Sequence, residues 1–293
     1  MSASTLAKRR WIREDEPMHP TIVQIGPLPL HSYGLLLALS FFFGILLAAR
    51  RAPSRGLSPD LVYDTSLVIV FAAIIGARLL YVFFHLNEMR GILDVLALWG
   101  GGLTMYGGVL AAMGAAWLYL RRRRVPFLRM ADVVAPSLGL GLGLTRVGCF
   151  LNGCCYGRPT TGPFGVHFPE DSFVSGLFAG AAVHPTQLYA SLTGLLVLAI
   201  LLLYDRWRPA EGRLFALWLV LDSLGRFVLD YFRCYEANVY IAGGLTLNQL
   251  IGIGLALIGV LLFVRSGRAA HARAARTPPH EAAGEVAPAS EAR

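Results

Sequence analysis

ADVVAPSLGLGLGLTRVGCFLNGCCYG, residues 131–157, begins as a run of apolar and small residues and ends in glycine, asparagine and cysteine. From Ala131 to Leu151 the only charged side chains are Asp132 and Arg146. A helix of about 20 predominantly apolar residues, rising about 1.5 Å per residue, is long enough to cross a bilayer. The stretch therefore reads as a membrane span that ends in an irregular loop. Its closely spaced glycines allow close helix approach, and non-helical backbone at membrane depth is tolerated only where protein buries it or it lines a cavity.

Six further runs of this kind surround it: Tyr33–Ala49, Leu61–Phe84, Leu103–Leu120, Gln187–Tyr204, Leu214–Tyr231 and Leu245–Val264. The expected fold is all-α, a polytopic membrane protein of about seven transmembrane helices over residues 31–265. An N-terminal segment, 1–30, precedes them, and an Ala-, Arg-, Glu- and Pro-rich tail, 266–293, reads as disordered and cytoplasmic. Composition agrees. Charged residues make up 15% of the chain and mean hydropathy is +0.56, whereas a soluble domain has about a quarter of its residues charged. No cleavable leader is expected, because the first apolar run follows a mixed charged segment and lacks a small-residue cleavage pattern.

The net charge of +8 comes almost wholly from arginine, the single lysine being Lys8. These arginines lie between apolar runs and form no continuous basic face, so nucleic acid is not expected as a partner. Counted over alternate connections, one side of the membrane holds 16 basic residues and the other 6, leaving out Arg78, Arg146, Arg226 and Arg233 within or beside spans. The positive-inside rule places the N-terminus out and the C-terminus in. The outward helix ends then gather Tyr33, Arg78, Gly102, Tyr106, Arg146, Asn152, Gly157, His184, Gln187, Arg226, Asp230 and Arg233. The inward ends carry little besides arginine and proline.

An arginine inside a span costs about 2.5 kcal/mol or more. Arg78, Arg146 and Arg226 on one side of a bundle suggest an anion site, since guanidinium offers forked donors to phosphate and stays charged; snorkelling or structural pairing with Asp222 or Asp230 is the plainer account of Arg78. Arg226 and Asp230 stand at i and i+4, an available salt bridge, and Arg233 extends the stripe. In His184-Pro185-Thr186-Gln187-Leu188-Tyr189 the proline suits a first helical turn. Cys154 and Cys155 are adjacent, a spacing poorly suited to zinc and lacking the two intervening residues of a redox pair, so no metal is expected. Disulfides among Cys149, Cys154, Cys155 and Cys234 have three possible connectivities.

Arg146-Val147-Gly148-Cys149-Phe150-Leu151-Asn152-Gly153-Cys154-Cys155-Tyr156-Gly157 resembles the signature of the bacterial prolipoprotein diacylglyceryl transferases. His184 to Tyr189, Gly100 to Gly108 and Arg226 to Arg233 look like further blocks of that family, and the resemblance covers roughly residues 20–265. Better-known members have histidine at the position of Tyr106, asparagine at Cys149, and glutamate at Cys154 and Asp230. The resemblance implies transfer of diacylglyceryl from phosphatidylglycerol to the lipobox cysteine of preprolipoprotein signal peptides, in the bacterial inner membrane. It requires no cofactor. Arg146 and Arg226 are then expected on the phosphate, Asp230 orienting an arginine, and Tyr106 or His184 handling the thiol proton. Tyr33, Arg78, Gly102, Asn152, Gly157, Gln187 and Arg233 are expected to shape the substrate pocket, with 158–183 as a periplasmic arm. Two other classes remain open: a carrier binding anionic lipid without chemistry, and a membrane thiol oxidoreductase.

Overall fold

The computed structural model describes residues 21–25, 28–86, 91, 94, 102–169, 173–234 and 244–276. Strands β1 (Thr21–Ile25) and β2 (Leu28–His31) form an antiparallel hairpin, a short addition to a helical architecture. Seven long helices follow: α1 (Ser32–Arg51), α2 (Pro59–Phe84), α3 (Met105–Arg122), α4 (Phe127–Leu151), α6 (Thr186–Asp205), α7 (Arg213–Asp230) and α8 (Leu247–Arg276). One short helix, α5 (Phe173–Phe178), lies between α4 and α6.

All seven apolar runs are helical. Among the described residues, five helices are long and apolar enough to cross a membrane: α1 with its 3-10 extension to Arg55, α2, α4, α6, and α8 as far as Arg268. The other two are 18 residues each. α3 ends in Arg121 and Arg122, and α7 contains Arg213, Asp222, Arg226 and Asp230, which lowers their hydropathy. Exposed Phe41, Phe42, Leu67, Phe71 and Phe83 form an outer surface suited to lipid. The tail differs from expectation, since α8 continues helically to Arg276. Its last turns are Ala and Arg, both strong helix formers. The rest of the tail and most of the N-terminal segment lie outside the described residues.

Local signals set the helix starts. Ser58 caps α2, its hydroxyl accepting from the Leu61 N–H at 3.2 Å, with Pro59 in the first turn. α7 has no cap of its own: its N-cap is Gly212, at φ 87°. The fully buried Asp132 carboxylate of α4 supplies the acceptors instead, taking the Gly212 N–H at 2.6 Å and the Phe215 N–H at 2.9 Å.

Packing runs α1 on α4, α4 on α6, α6 on α7, and α7 on α8, with α2 and α3 as a separate tight pair leaning on α1. Where α4 crosses α6, a Cβ on Gly139 would lie 2.9 Å from the Gly194 carbonyl, and one on Gly194 would lie 2.8 Å from the Gly139 carbonyl. Only glycine permits this approach, and in lipid such backbone contact replaces the hydrophobic driving force. At the arginine-rich end, Asp205 accepts from Arg51 at 2.6 Å and from Arg55 at 2.5 Å, while Arg55 stands 3.7 Å from Asp132. This network joins α1, α4 and α6.

Candidate functional site

α4 stops at Leu151 because the next residues cannot stay helical. The Cys154 N–H reaches back to the Cys149 carbonyl at 3.1 Å, and the Gly153 N–H to that of Phe150 at 3.1 Å. Gly153 (φ 68°) and Cys155 (φ 61°) are left-handed, a common way to end a helix for glycine and a strained one for cysteine. The start of α6 holds the turn in place. Buried Thr186 donates to the Cys155 carbonyl and buried Gln187 to that of Cys154, both at 2.7 Å.

This turn draws together three thiols. The Sγ atoms of Cys149, Cys154 and Cys155 all lie within 4.8 Å of one another. Adjacency of Cys154 and Cys155 alone argued against such a cluster; the two left-handed residues fold them back over the last turn of α4, onto Cys149. All four cysteines are free thiols. Hydrogen bonding from Cys149 and Cys154, then the positive charges of Arg233 and Arg146, hold the Cys155 thiol well below the ordinary thiol range. The Tyr33 phenol is within electrostatic reach of all three thiols and of Arg146, and the Asn152 side chain is within hydrogen-bonding reach of Cys154.

Arg146, one turn before Cys149, is half-buried. Among the described residues it makes no hydrogen bond or ion pair. Arg78 differs: it is buried, donates to the Gly102 carbonyl at 3.0 Å and to the Asp94 carbonyl, and lies over the Tyr81 ring. It ties α2 to the segment before α3, and Gly102 takes part through its carbonyl.

Arg226 pairs with Asp222 at 2.9 Å instead of with Asp230. Asp222 precedes Arg226 by one turn, and acid before base is the better order along a helix. Buried Asp230 accepts from the Thr246 hydroxyl and links α7 to the start of α8. The expected stripe ends there, because α7 stops at Asp230 and Arg233 lies in the following turn, bridged antiparallel to Gly157. Tyr106 is 56% exposed on α3 and makes no hydrogen bond or ring contact among the described residues.

His184 sits beside the thiol turn. Its Nδ1 is 3.3 Å from the Tyr189 hydroxyl, and its ring packs edge-on against Phe232 at 5.3 Å. Gly157 runs between these groups: its N–H donates to the His184 carbonyl at 2.9 Å, and a Cβ there would lie 2.6 Å from the Phe232 carbonyl and 2.7 Å from that of His184. Gly157→Ala is expected to force this layer apart at about 1–3 kcal/mol, the usual range for overpacking. Faster proteolysis within 158–183 at unchanged overall helix content would show it. Within the described residues of that segment, Val166 bridges Val183 beside a small core of Phe168, Val174 and Val183.

The structure thus gathers Tyr33, Arg146, Asn152, Gly157, His184, Gln187 and Arg233 around the α4 turn. Arg226 and Asp230 lie on α7 nearby in sequence to Arg233, and Arg78, Gly102 and Tyr106 belong to the α2–α3 pair. Thr186 and Phe232 were given no role from sequence, and Asp222 was weighed only as a partner for Arg78. Thr186 and Asp222 had a legible signal, a hydroxyl opening a span and an acid one turn before an intramembrane arginine; Phe232 had none.

The family model for prolipoprotein diacylglyceryl transferases matches residues 20–265. The chain is similar to proteins named phosphatidylglycerol–prolipoprotein diacylglyceryl transferase from several bacteria. That of Clostridium tetani is 31% identical over 247 residues, covering 84% of this chain and 97% of the relative. That of a Nostoc species is 35% identical over 257 residues, covering 84% and 90%, and that of Gloeobacter violaceus 36% over 247 residues, covering 82% and 91%. The match extends from the hairpin into the last long helix and takes in the α4 turn and the opening of α6, so the chain belongs to the prolipoprotein diacylglyceryl transferase family.

Proposed function

We propose that this membrane enzyme transfers the diacylglyceryl group of phosphatidylglycerol to the lipobox cysteine of preprolipoproteins, the first step of lipoprotein maturation in the bacterial inner membrane. The acceptor sulfur displaces a phosphodiester at the glyceryl carbon, forming a thioether and releasing glycerol phosphate. Two needs follow from that chemistry: cations for the departing phosphate and removal of the thiol proton.

The observation that carries the proposal is Arg146, a half-buried guanidinium without an ion-pair partner among the described residues, at the end of a long apolar stretch of α4. A charge in that position is stabilised by an anion it binds, and a phosphodiester matches its forked donors. Arg226, oriented by Asp222 and exposed on α7, acts as the second phosphate ligand. Asn152 and Gly157 shape the headgroup pocket with Tyr33 at its rim, and Asp230 positions α7 against α8. The chain crosses the membrane seven times, N-terminus out, with this site at the outer face; the basic residue count and the pairing of the shorter α3 and α7 with apolar α2 and α8 support that arrangement. Donor lipid and signal peptide enter sideways from the bilayer.

Detergent-purified protein incubated with phosphatidylglycerol and a fluorescent lipobox peptide is expected to yield a mass increase of one diacylglyceryl unit. A negative result beside an active control enzyme would favour the lipid-carrier reading. Arg226→Ala is expected to slow transfer about 10- to 100-fold, matching one charge-assisted hydrogen bond of about 1.5–3 kcal/mol. Initial rates at saturating peptide check it, and Asp222→Asn should lose less because the cation remains.

A further inference from the structure

The acceptor in the proposed reaction is a thiol, and a thiol attacks carbon as thiolate. Neither group expected to take its proton is seen aligned for that task among the described residues. Tyr106 is exposed and without a hydrogen bond among the described residues, and His184 Nδ1 faces the Tyr189 hydroxyl. Beside Arg146, however, three sulfur atoms lie within 4.8 Å of one another. Tetrahedral zinc with bonds of about 2.3 Å keeps its sulfur ligands about 3.8 Å apart, so small χ1 adjustments close the cluster on one ion.

The backbone that presents these sulfurs is already fixed. Thr186 and Gln187 hold the Cys155 and Cys154 carbonyls at 2.7 Å, and the Cys154 N–H is bonded to the Cys149 carbonyl at 3.1 Å. Gln187 is 1% exposed, and its Oε1 has no hydrogen-bond partner among the described residues, leaving an unsatisfied acceptor on the residue that grips the cluster. Cys149 is buried, while Cys154 and Cys155 are half-buried, so the trio is closed towards the bundle and open on one side. Three thiolates with a dication carry a net single negative charge, and the neighbouring Arg146 and Arg233 compensate it.

We infer that Cys149, Cys154 and Cys155 bind one zinc ion as a three-thiolate site whose fourth position receives the lipobox thiol of the acceptor. The inference rests on the transferase reading and supplies the missing activation. The acceptor thiol binds zinc as thiolate, and its proton passes to solvent water. The zinc-bound sulfur then attacks the glyceryl carbon. A C–S bond forms from a sulfur lone pair, and the C–O bond to phosphate breaks with its electron pair leaving on the phosphate oxygen towards Arg146. Nothing is oxidised or reduced. The product thioether is neutral and a weak ligand, so it leaves the metal for the next thiol.

The test uses the full chain purified in detergent. Zinc content by mass spectrometry is expected at about one equivalent per chain. Replacing zinc by cobalt(II) should give a thiolate charge-transfer absorption in the wild type that Cys149→Ser loses. That absorption should grow when a lipobox peptide is added and stay constant with its Cys→Ser analogue. Stripping the metal should slow transfer about 100-fold or more while leaving phosphatidylglycerol binding intact, and zinc should restore the rate. Wild-type protein that binds neither metal, or that transfers at full rate when stripped, overturns the site and leaves the transferase reading standing. A peptide-dependent cobalt signal with no transfer under any condition overturns the transferase reading and leaves the thiol-binding metal site standing.

Discussion

Arg146→Ala is expected to lower the rate of diacylglyceryl transfer by about 100- to 1,000-fold, the effect of removing one preorganised donor to a developing oxyanion. The guanidinium meets the phosphate oxygen most strongly as the C–O bond breaks, so the loss falls on kcat more than on lipid affinity. Arg146→Lys keeps the charge but not the fork and should fall between alanine and wild type. Melting temperature should hardly change, since Arg146 makes no hydrogen bond or ion pair among the described residues whose loss would destabilise the bundle. Steady-state transfer to a lipobox peptide measures this directly, and an alanine variant working at the wild-type rate would remove Arg146 from the chemistry.

Asp132→Ala should have the largest effect on stability, about 3–5 kcal/mol, the range for stripping one partner from a buried charged network. The carboxylate is fully buried, accepts the Gly212 and Phe215 N–H groups, and lies 3.7 Å from Arg55. Without it, two donors at the start of α7 lose their acceptor and Arg55, just past the end of α1, loses part of its compensation. Asp132→Asn retains an acceptor oxygen without the charge and should cost less. Thermal unfolding in detergent distinguishes them; an alanine variant melting with the wild type would show that α7 is anchored elsewhere. Because the defect lies at the opposite end of α4 from Arg146, protein that remains folded should transfer normally.

Helix positions were legible because a bilayer imposes a length and a polarity on each span, and apart from the far end of α8 the long helices begin and end within a few residues of the apolar runs. The start of the tail, up to Arg276, is helical where composition suggested disorder, because its Ala and Arg favour a helix that continues from α8. Arg146 stood out by its energetic cost alone. The thiol cluster did not, because it depends on left-handed backbone at Gly153 and Cys155, and no spacing rule for ligands on regular helices anticipates positions i, i+5 and i+6 meeting across a helix end. In sequence Arg226 was paired with Asp230; the structure pairs it with Asp222, one turn earlier, in the preferred order of acid before base along a helix. The role of Asp230 required knowing that Thr246, 16 residues on, returns beside it.

The shared acid at the arginine-rich end has a consequence for the order of assembly. Asp205 follows Arg55 by 150 residues, so a ribosome emits the arginine long before its counterion. During insertion of the first helices Arg51 and Arg55 are uncompensated, and they present their full charge to the translocation machinery and to anionic lipid. Asp132 of α4 offers Arg55 a first, partial counterion, and α6 then brings Asp205 to both arginines. The same two side chains therefore act first as a temporary orientation signal and later as a permanent fastener. Removing Asp205 should leave the direction of insertion untouched and loosen only the completed bundle.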